Sequence, residues 1–311
     1  GSFAGPTRDS LLTRVADKDH PGGVQRAVGL AMTTQNIAQF VGITLMGAAE
    51  VLDIAFFPAI IALNYLMCAV MISRIGPTPA PPAREGRRGG FGGQIEEIRE
   101  GIKEVWGSAR IRPVMLQMFF SSLLFMGSVM VLLPVLIRDV YQGGALDFSL
   151  VFLCLFGGVG LASWVIAQRP IQKQGKVLLT AMSAGGIALA IVHFQPPLWG
   201  LFVAVFFWGL MGGAATAMSR TIVQTSAAPG HLARTLSVFI AATLAGGPIG
   251  SFTIGYLIGW LGPLDAALVP AFALIFVWLG LFFFTPLWKV EAVETSLATT
   301  PAATTPVPPA A

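Results

Sequence analysis

From Leu236 to Trp260 the chain runs LSVFIAATLAGGPIGSFTIGYLIGW without one ionisable side chain, and that run excludes most folds open to a soluble chain. About 20 apolar residues in a helix cross the hydrocarbon core of a bilayer. Backbone in that core must satisfy its own hydrogen bonds, so the run is expected to be a membrane-spanning helix. Gly247, Ser251, Gly255 and Gly259 recur at every fourth position and predict one stripe where a neighbouring backbone can approach. Pro248, in the middle, predicts a bend.

Seven further apolar runs have a similar length: Ala27–Ala49, Ile54–Ile72, Val114–Ile137, Phe148–Ala167, Val177–Phe194, Leu198–Ala217 and Ala266–Leu287. With 55% hydrophobic and 11% charged residues and a mean hydropathy of +0.75, too little polar surface remains for soluble domains. The expected fold is an all-α polytopic helix bundle of about eight spans, with the lipid bilayer as its first partner. The net charge of +4 does not point to nucleic acid, because the charges lie between spans. Threading the spans in alternation puts all of the 19 Lys and Arg residues except Arg138 on one side, which the positive-inside rule makes cytoplasmic. Both termini then lie in the cytoplasm of a cell, or inner, membrane. The first residues, Gly-Ser-Phe-Ala-Gly, include no initiator Met, and the chain is expected to be a piece of a longer one.

The order of segments gives the domains. Residues 1–73 carry a polar loop and two spans, 74–112 a cytoplasmic linker, 113–288 six spans, and 289–311 a Thr, Pro and Ala tail with no means of burying a core. The linker opens with PTPAPPAREGRRGGFGG and then places Ile95, Ile98, Ile102, Val105 and Trp106 on one face of a short helix, which reads first as a solvated connector and second as a helix lying on the membrane or against the bundle. Amides in lipid need partners. Gln35, Asn36 and Gln39 therefore mark either hydrogen bonding between helices or a face lining a solvated cavity. Gln117, Ser121 and Ser122 make a second polar cluster, and Pro134 predicts a bend beyond it. Gly157, Gly158 and Gly160 favour close helix contact. Trp208 and Met211 beside Gly209, Gly212 and Gly213 read first as packing and second as the wall of an apolar pocket. His193 stands alone at the end of a span and reads first as structural and second as a proton relay.

Chemistry of other kinds finds little support. Cys68 and Cys154 lie within spans without metal-type spacing, and the scattered His and acidic residues form no nucleophile–base pair. No enzyme activity, metal or cofactor is expected. The loop QRPIQKQGK, from Gln168 to Lys176, lacks the GxxxxGK[ST] phosphate-binding pattern and is a juxtamembrane basic cluster. Shifting the chain by 208 residues lays Arg234, Gly250 and Gly255 on Arg26, Gly42 and Gly47. A repeat between halves of a polytopic protein points to a transporter; a non-transporting assembly or regulatory subunit is the alternative.

GPTRDSLL at Gly5–Leu12 and RAVGLAMTTQNIAQFVG at Arg26–Gly42 resemble the loop after helix four and helix five of drug and siderophore exporters of the major facilitator superfamily, the branch of the enterobactin exporter. IEEIREGIKEVWGSARIRPVM at Ile95–Met115 resembles their central connector leading into helix seven, and ARTLSVFIAATLAGGPIG at Ala233–Gly250 their helix eleven. The resemblance covers nearly the whole chain and makes its spans helices five to twelve of twelve. It implies secondary active efflux of a small organic substrate by alternating access, with protons coupled through the missing N-terminal helices. It also implies a central cavity, faced by Gln35, Asn36 and Gln39 from helix five, Gln117 and Ser121 from helix seven, and Trp208 and Met211 from helix ten. The chain departs from the family pattern in two places. Gly42-Ile43 stands where antiporters tend to have Gly-Pro, and the loop Gln168–Lys176 has no acidic residue.

Overall fold

A computed structural model describes residues 23–47, 56–74, 99, 101–103, 105–227 and 232–292. The expected loop before Gly23, the outer turn with Glu50 and Asp53, most of the linker, and the tail from residue 293 lie outside the described residues. Eight long helices follow one another: α1 (Gly23–Gly47), α2 (Phe56–Ser73), α3 (Ile111–Val140), α4 (Ala145–Gln168), α5 (Gln174–His193), α6 (Leu198–Ser226), α7 (Leu232–Leu261) and α8 (Pro263–Phe284). The last six are long and apolar enough to cross a membrane. α1 has 25 residues, but its Gln, Asn and Thr side chains dilute its hydropathy. In α2 only Ile61–Met71 stands out as an apolar stretch.

Successive helices run antiparallel, so Arg26, Arg110, Arg169, Lys176, Arg220, Arg234 and Lys289 gather at one end of the bundle, called here the basic end. α4 and α5 flank α6, α8 covers α5, α7 lies along α3, and α1 packs on α4 and α6. In α2, by contrast, every side chain whose environment is described is exposed. The core has two storeys. At the basic end Val114, Met118, Leu178, Met182, Met218, Ile222, Leu236 and Phe239 close around Val28 and Met32 of α1. At the opposite end Leu132, Leu136, Leu155, Leu189, Leu201, Val205, Trp208 and Ile254 form a second cluster.

Without a hydrophobic drive between helices in lipid, close backbone contact has to supply the attraction, and glycines permit it most closely where α4 meets α6 and where α7 meets α3. Where α4 meets α6, a Cβ on Gly209 would lie 2.0 Å from the Leu155 carbonyl oxygen and one on Gly158 2.2 Å from that of Phe206. Where α7 meets α3, a Cβ on Gly250 would lie 1.8 Å from the Leu123 carbonyl oxygen, and one on Gly246 2.7 Å from the Leu123 nitrogen. This corrects the expected stripe. Gly259 faces open space and the nearest atom to a Cβ on Gly255 is 4.0 Å away, so the contact face is offset by one residue, onto Gly246 and Gly250. The proposed repeat is not matched in packing either, for Gly42 has nothing near it while its counterpart Gly250 is the tightest position on α7.

α3 is continuous but irregular. Ser122–Met126, Ser128–Leu132 and Leu136–Val140 form π turns, and the N–H of Tyr141 reaches back five residues to the Leu136 carbonyl at 3.0 Å. Wide turns of this kind take up local irregularity in a helix. Two of the three precede Pro134, so the departure from α geometry is spread along the helix and begins before the proline where a bend was expected. Ser122, on the first of them, donates through its hydroxyl to the Thr243 carbonyl of α7.

Side-chain contacts tie both ends. At the end opposite the basic one, Tyr141 Oη donates to the Pro196 carbonyl at 2.7 Å, and burial pushes the phenol above its ordinary range, keeping it a neutral donor. His193 Nδ1 lies 3.3 Å from the Leu264 carbonyl and 3.4 Å from Asp265 Oδ1, which ties α5 to the start of α8. At the basic end Val105 of the connector is buried and Gly101 lies against the Arg234 side chain, so this segment packs on the bundle while Ile102 and Trp106 remain exposed. The tail does not become free at residue 289. Pro286–Lys289 forms a 3-10 turn with Leu287 fully buried, and the segment stays docked as far as Ala292, whose N–H donates to the Gln172 carbonyl at 2.7 Å.

Candidate functional site

α1 is the element through which the first segment of the chain meets the following bundle, and its periodicity sorts its polar residues. Gln25, Val28, Gly29, Met32 and Asn36 recur at helical spacing and are buried, as the face of a helix packed on α4 and α6 must be. A Cβ on Gly29 would lie 2.7 Å from Ala167 Cβ and 2.9 Å from the Ser163 carbonyl oxygen. Two turns further, Asn36 lies over Gly160 of α4. Thr33 and Thr34 spend their hydroxyls on the Gly29 and Leu30 carbonyls one turn back, at 2.8 and 3.0 Å. Gln35 and Gln39, one turn apart, are exposed beside that buried face.

The seven residues singled out from the sequence therefore divide. Gln35 and Gln39 form an exposed amide pair, Asn36 belongs to the α1–α4 contact, and Ser121 and Met211 are half-buried. Gln117 and Trp208 are in the core. The Gln117 side chain is fully buried and its Nε2 donates to the Leu178 carbonyl of α5 at 3.1 Å. Trp208 is 1% exposed, with its ring centroid 4.5 Å from that of Phe125 and its edge towards Gly185. Both point between helices of one bundle: the indole lies beside Gly185 and Phe125 fills the space over Gly212, while Gln117 Oε1 and Trp208 Nε1 are buried without a hydrogen-bond partner among the described residues. The cavity reading of the sequence could not separate that from an open wall.

Gln25 had no role in that reading, which placed it in a polar loop. The structure gives it three hydrogen bonds. Nε2 donates to the carbonyls of Ile166 at 2.8 Å and Arg169 at 2.6 Å, and Oε1 accepts from the Ile171 N–H at 3.1 Å. It thus caps the last turn of α4, whose carbonyls would otherwise be orphaned. The signal in the sequence was faint: a lone Gln at the mouth of a span, four residues before a glycine. Among the described residues, no three His, Cys, Asp or Glu side chains come together to hold a metal ion.

Comparison with known proteins agrees with this architecture. Residues 1–251 match the family model described as Major Facilitator Superfamily. The chain is 27% identical over 161 residues to the multidrug efflux pump Tap of Mycolicibacterium fortuitum, covering 51% of this chain and 39% of Tap. It is 28% identical over 246 residues to the putative bacilysin exporter BacE of Bacillus subtilis, covering 79% of this chain and 58% of BacE. The chain thus spans about two fifths to three fifths of the length of these relatives. The crystal structure of the human organic anion transporter MFSD10 superposes with a TM-score of 0.75 at 12% identity, over 88% of this chain and 66% of that one, a likeness of fold. With eight long helices, glycine-mediated crossings and a family match over most of its length, this membrane chain belongs to the Major Facilitator Superfamily.

Proposed function

We propose that the protein of which this chain is part exports a small organic molecule by alternating access, with the α1 segment and the bundle α3–α8 as parts of its two halves. The observation that carries this is the division of α1. One face is zipped to α4 and α6 at the basic end, while Gln35 and Gln39 stand exposed beside it with no fixed charge nearby on their own helix. Amides orient a ligand through hydrogen bonds, and a largely apolar wall without charge suits a neutral or amphipathic molecule better than an inorganic ion. In this proposal the half-buried Ser121 of α3 and Met211 of α6 join them on the substrate's path; Asn36 backs the pair, and Gln117 and Trp208 support the wall from within.

The basic end is the cytoplasmic one in this reading, by the distribution of Lys and Arg, and the membrane is the cell membrane of a bacterium. Names of relatives support efflux: one is a multidrug efflux pump and another a putative exporter. Protons are the proposed driving ion. The test is accumulation of a panel of neutral, cationic and anionic dyes in cells lacking their own exporters. Expression of the full-length protein lowers accumulation of neutral or amphipathic dyes; unchanged accumulation of every dye refutes the proposal.

A further inference from the structure

The loop between α4 and α5 is gripped from two sides by parts of the chain that are far apart in sequence. On one side Gln25 of α1 holds the Ile166 and Arg169 carbonyls and the Ile171 N–H, and it is buried while doing so. On the other side lies the segment after α8. Val290 accepts through its carbonyl from the Gly175 N–H at 2.9 Å, and the Ala292 N–H donates to the Gln172 carbonyl at 2.7 Å. Leu287 is fully buried against Gly175, where a Cβ would stand 1.9 Å from the Leu287 carbonyl oxygen. Lys176 lies over the Trp288 ring, 5.2 Å from its centroid, and an Arg110 guanidinium nitrogen donates to the Glu291 carbonyl at 2.5 Å.

Gln25 needs its three partners at fixed places, because one planar amide must meet two carbonyls and an N–H together. A free loop of five residues, Arg169–Lys173, would not keep them there. The segment Thr285–Ala292 fixes the following residues, Gln172 and Gly175, and so fixes the plate that Gln25 enters. We propose that Gln25 is a latch that closes the basic end between the two halves, and that the segment Thr285–Ala292 is the strap that holds its socket in register. Gln25 is a positioning residue in this role and touches no substrate. Opening the basic end requires all three bonds to break at once, so the latch favours the conformation closed at the basic end. The inference rests on the two-halves reading given above, but its closing experiment does not depend on transport.

Ser163 is fully buried and its carbonyl lies against Gly29, so a cysteine there reports separation of α1 from α4. The full-length chain carrying Ser163→Cys as its single cysteine is labelled in membrane vesicles with a membrane-permeant maleimide. Labelling is slow in this parent and rises about tenfold or more with Gln25→Leu, which removes three buried hydrogen bonds. Gln25→Glu keeps the size and the acceptor but cannot donate to the two carbonyls; it raises labelling as well and decides the matter if Gln25→Leu fails to accumulate. Gly175→Val, which displaces the strap without touching Gln25, raises labelling by a smaller factor. Labelling at the parent's rate in both Gln25 variants overturns the latch, and labelling at the parent's rate in Gly175→Val overturns the strap. If the parent exports no dye while the Gln25 variants still label faster, the latch stands and the transport reading fails.

Discussion

Gly250 is the position where the packing account can be tested with one methyl group. A Cβ there would stand 1.8 Å from the Leu123 carbonyl oxygen, 2.7 Å from the Leu123 carbonyl carbon and 3.1 Å from its Cα. All three are backbone atoms, so no side chain can turn aside. Ordinary contact begins near 3.4 Å, and α3 and α7 would have to part by about 1.6 Å, the difference between 3.4 and 1.8 Å. Overpacking of this kind costs roughly 1–3 kcal/mol, and the upper part of that range is expected for Gly250→Ala because the separation also spreads Gly246 and Gly127 from their contacts. Gly255→Ala is the control. Its Cβ would meet nothing closer than Val131 at 4.0 Å, and the cost should stay within about 0.5 kcal/mol. Thermal unfolding of the two purified full-length variants in detergent, followed by size-exclusion elution after heating, measures the difference. The reasoning is refuted if Gly250→Ala melts with the parent, or if Gly255→Ala is lowered as much as Gly250→Ala.

Other outcomes follow from the same contacts. Trp208→Ala should destabilise the protein by about 3–5 kcal/mol, so export should fall with the amount of folded protein and recover when rates are normalised to it; a loss that survives normalisation would give the indole a substrate contact. Gly209→Ala, with a Cβ 2.0 Å from the Leu155 carbonyl oxygen, should match Gly250→Ala in thermal unfolding, and a neutral result would mean that α4 and α6 are not in backbone contact. Single cysteines replacing Phe194 and Lys289 should respond oppositely to an impermeant thiol reagent in intact cells, with labelling at 194 only. Labelling at 289 alone would reverse the proposed sidedness.

What the sequence made legible was whatever depended on composition along one helix. The bilayer requires long uninterrupted apolar runs, so α3 to α8 could be read within a few residues of their ends, except that α6 continues past Ala217 to Ser226. The connector's apolar face did not say what it packs on, and of it Val105 is buried while Ile102 and Trp106 are exposed. What was not legible depended on which way a helix is turned. Gly247, Ser251, Gly255 and Gly259 form as regular a stripe as Gly246, Gly250 and Ile254, and only the position of α3 selects the second. Gln117 read as a cavity residue because polar groups in a span have that meaning in general, and Trp208 read first as packing and second as a pocket wall; here Gln117 Nε2 donates to the Leu178 carbonyl and the indole packs on Phe125. The docked segment after Phe284 was hidden for a related reason. Its composition is that of a tail, and the small residue that makes room for it, Gly175, lies more than a hundred residues earlier.

The central claim is that substrate meets the exposed amides of α1 and not the buried polar groups of the bundle. Its most direct test is dye export by the full-length protein with Gln35→Leu and Gln39→Leu combined, set against Gln117→Leu, each normalised to folded protein in the membrane. The account predicts reduced export or an altered range of dyes for the α1 pair and parental export per molecule for Gln117→Leu. Parental export by the α1 pair, with a changed range for Gln117→Leu, would contradict it.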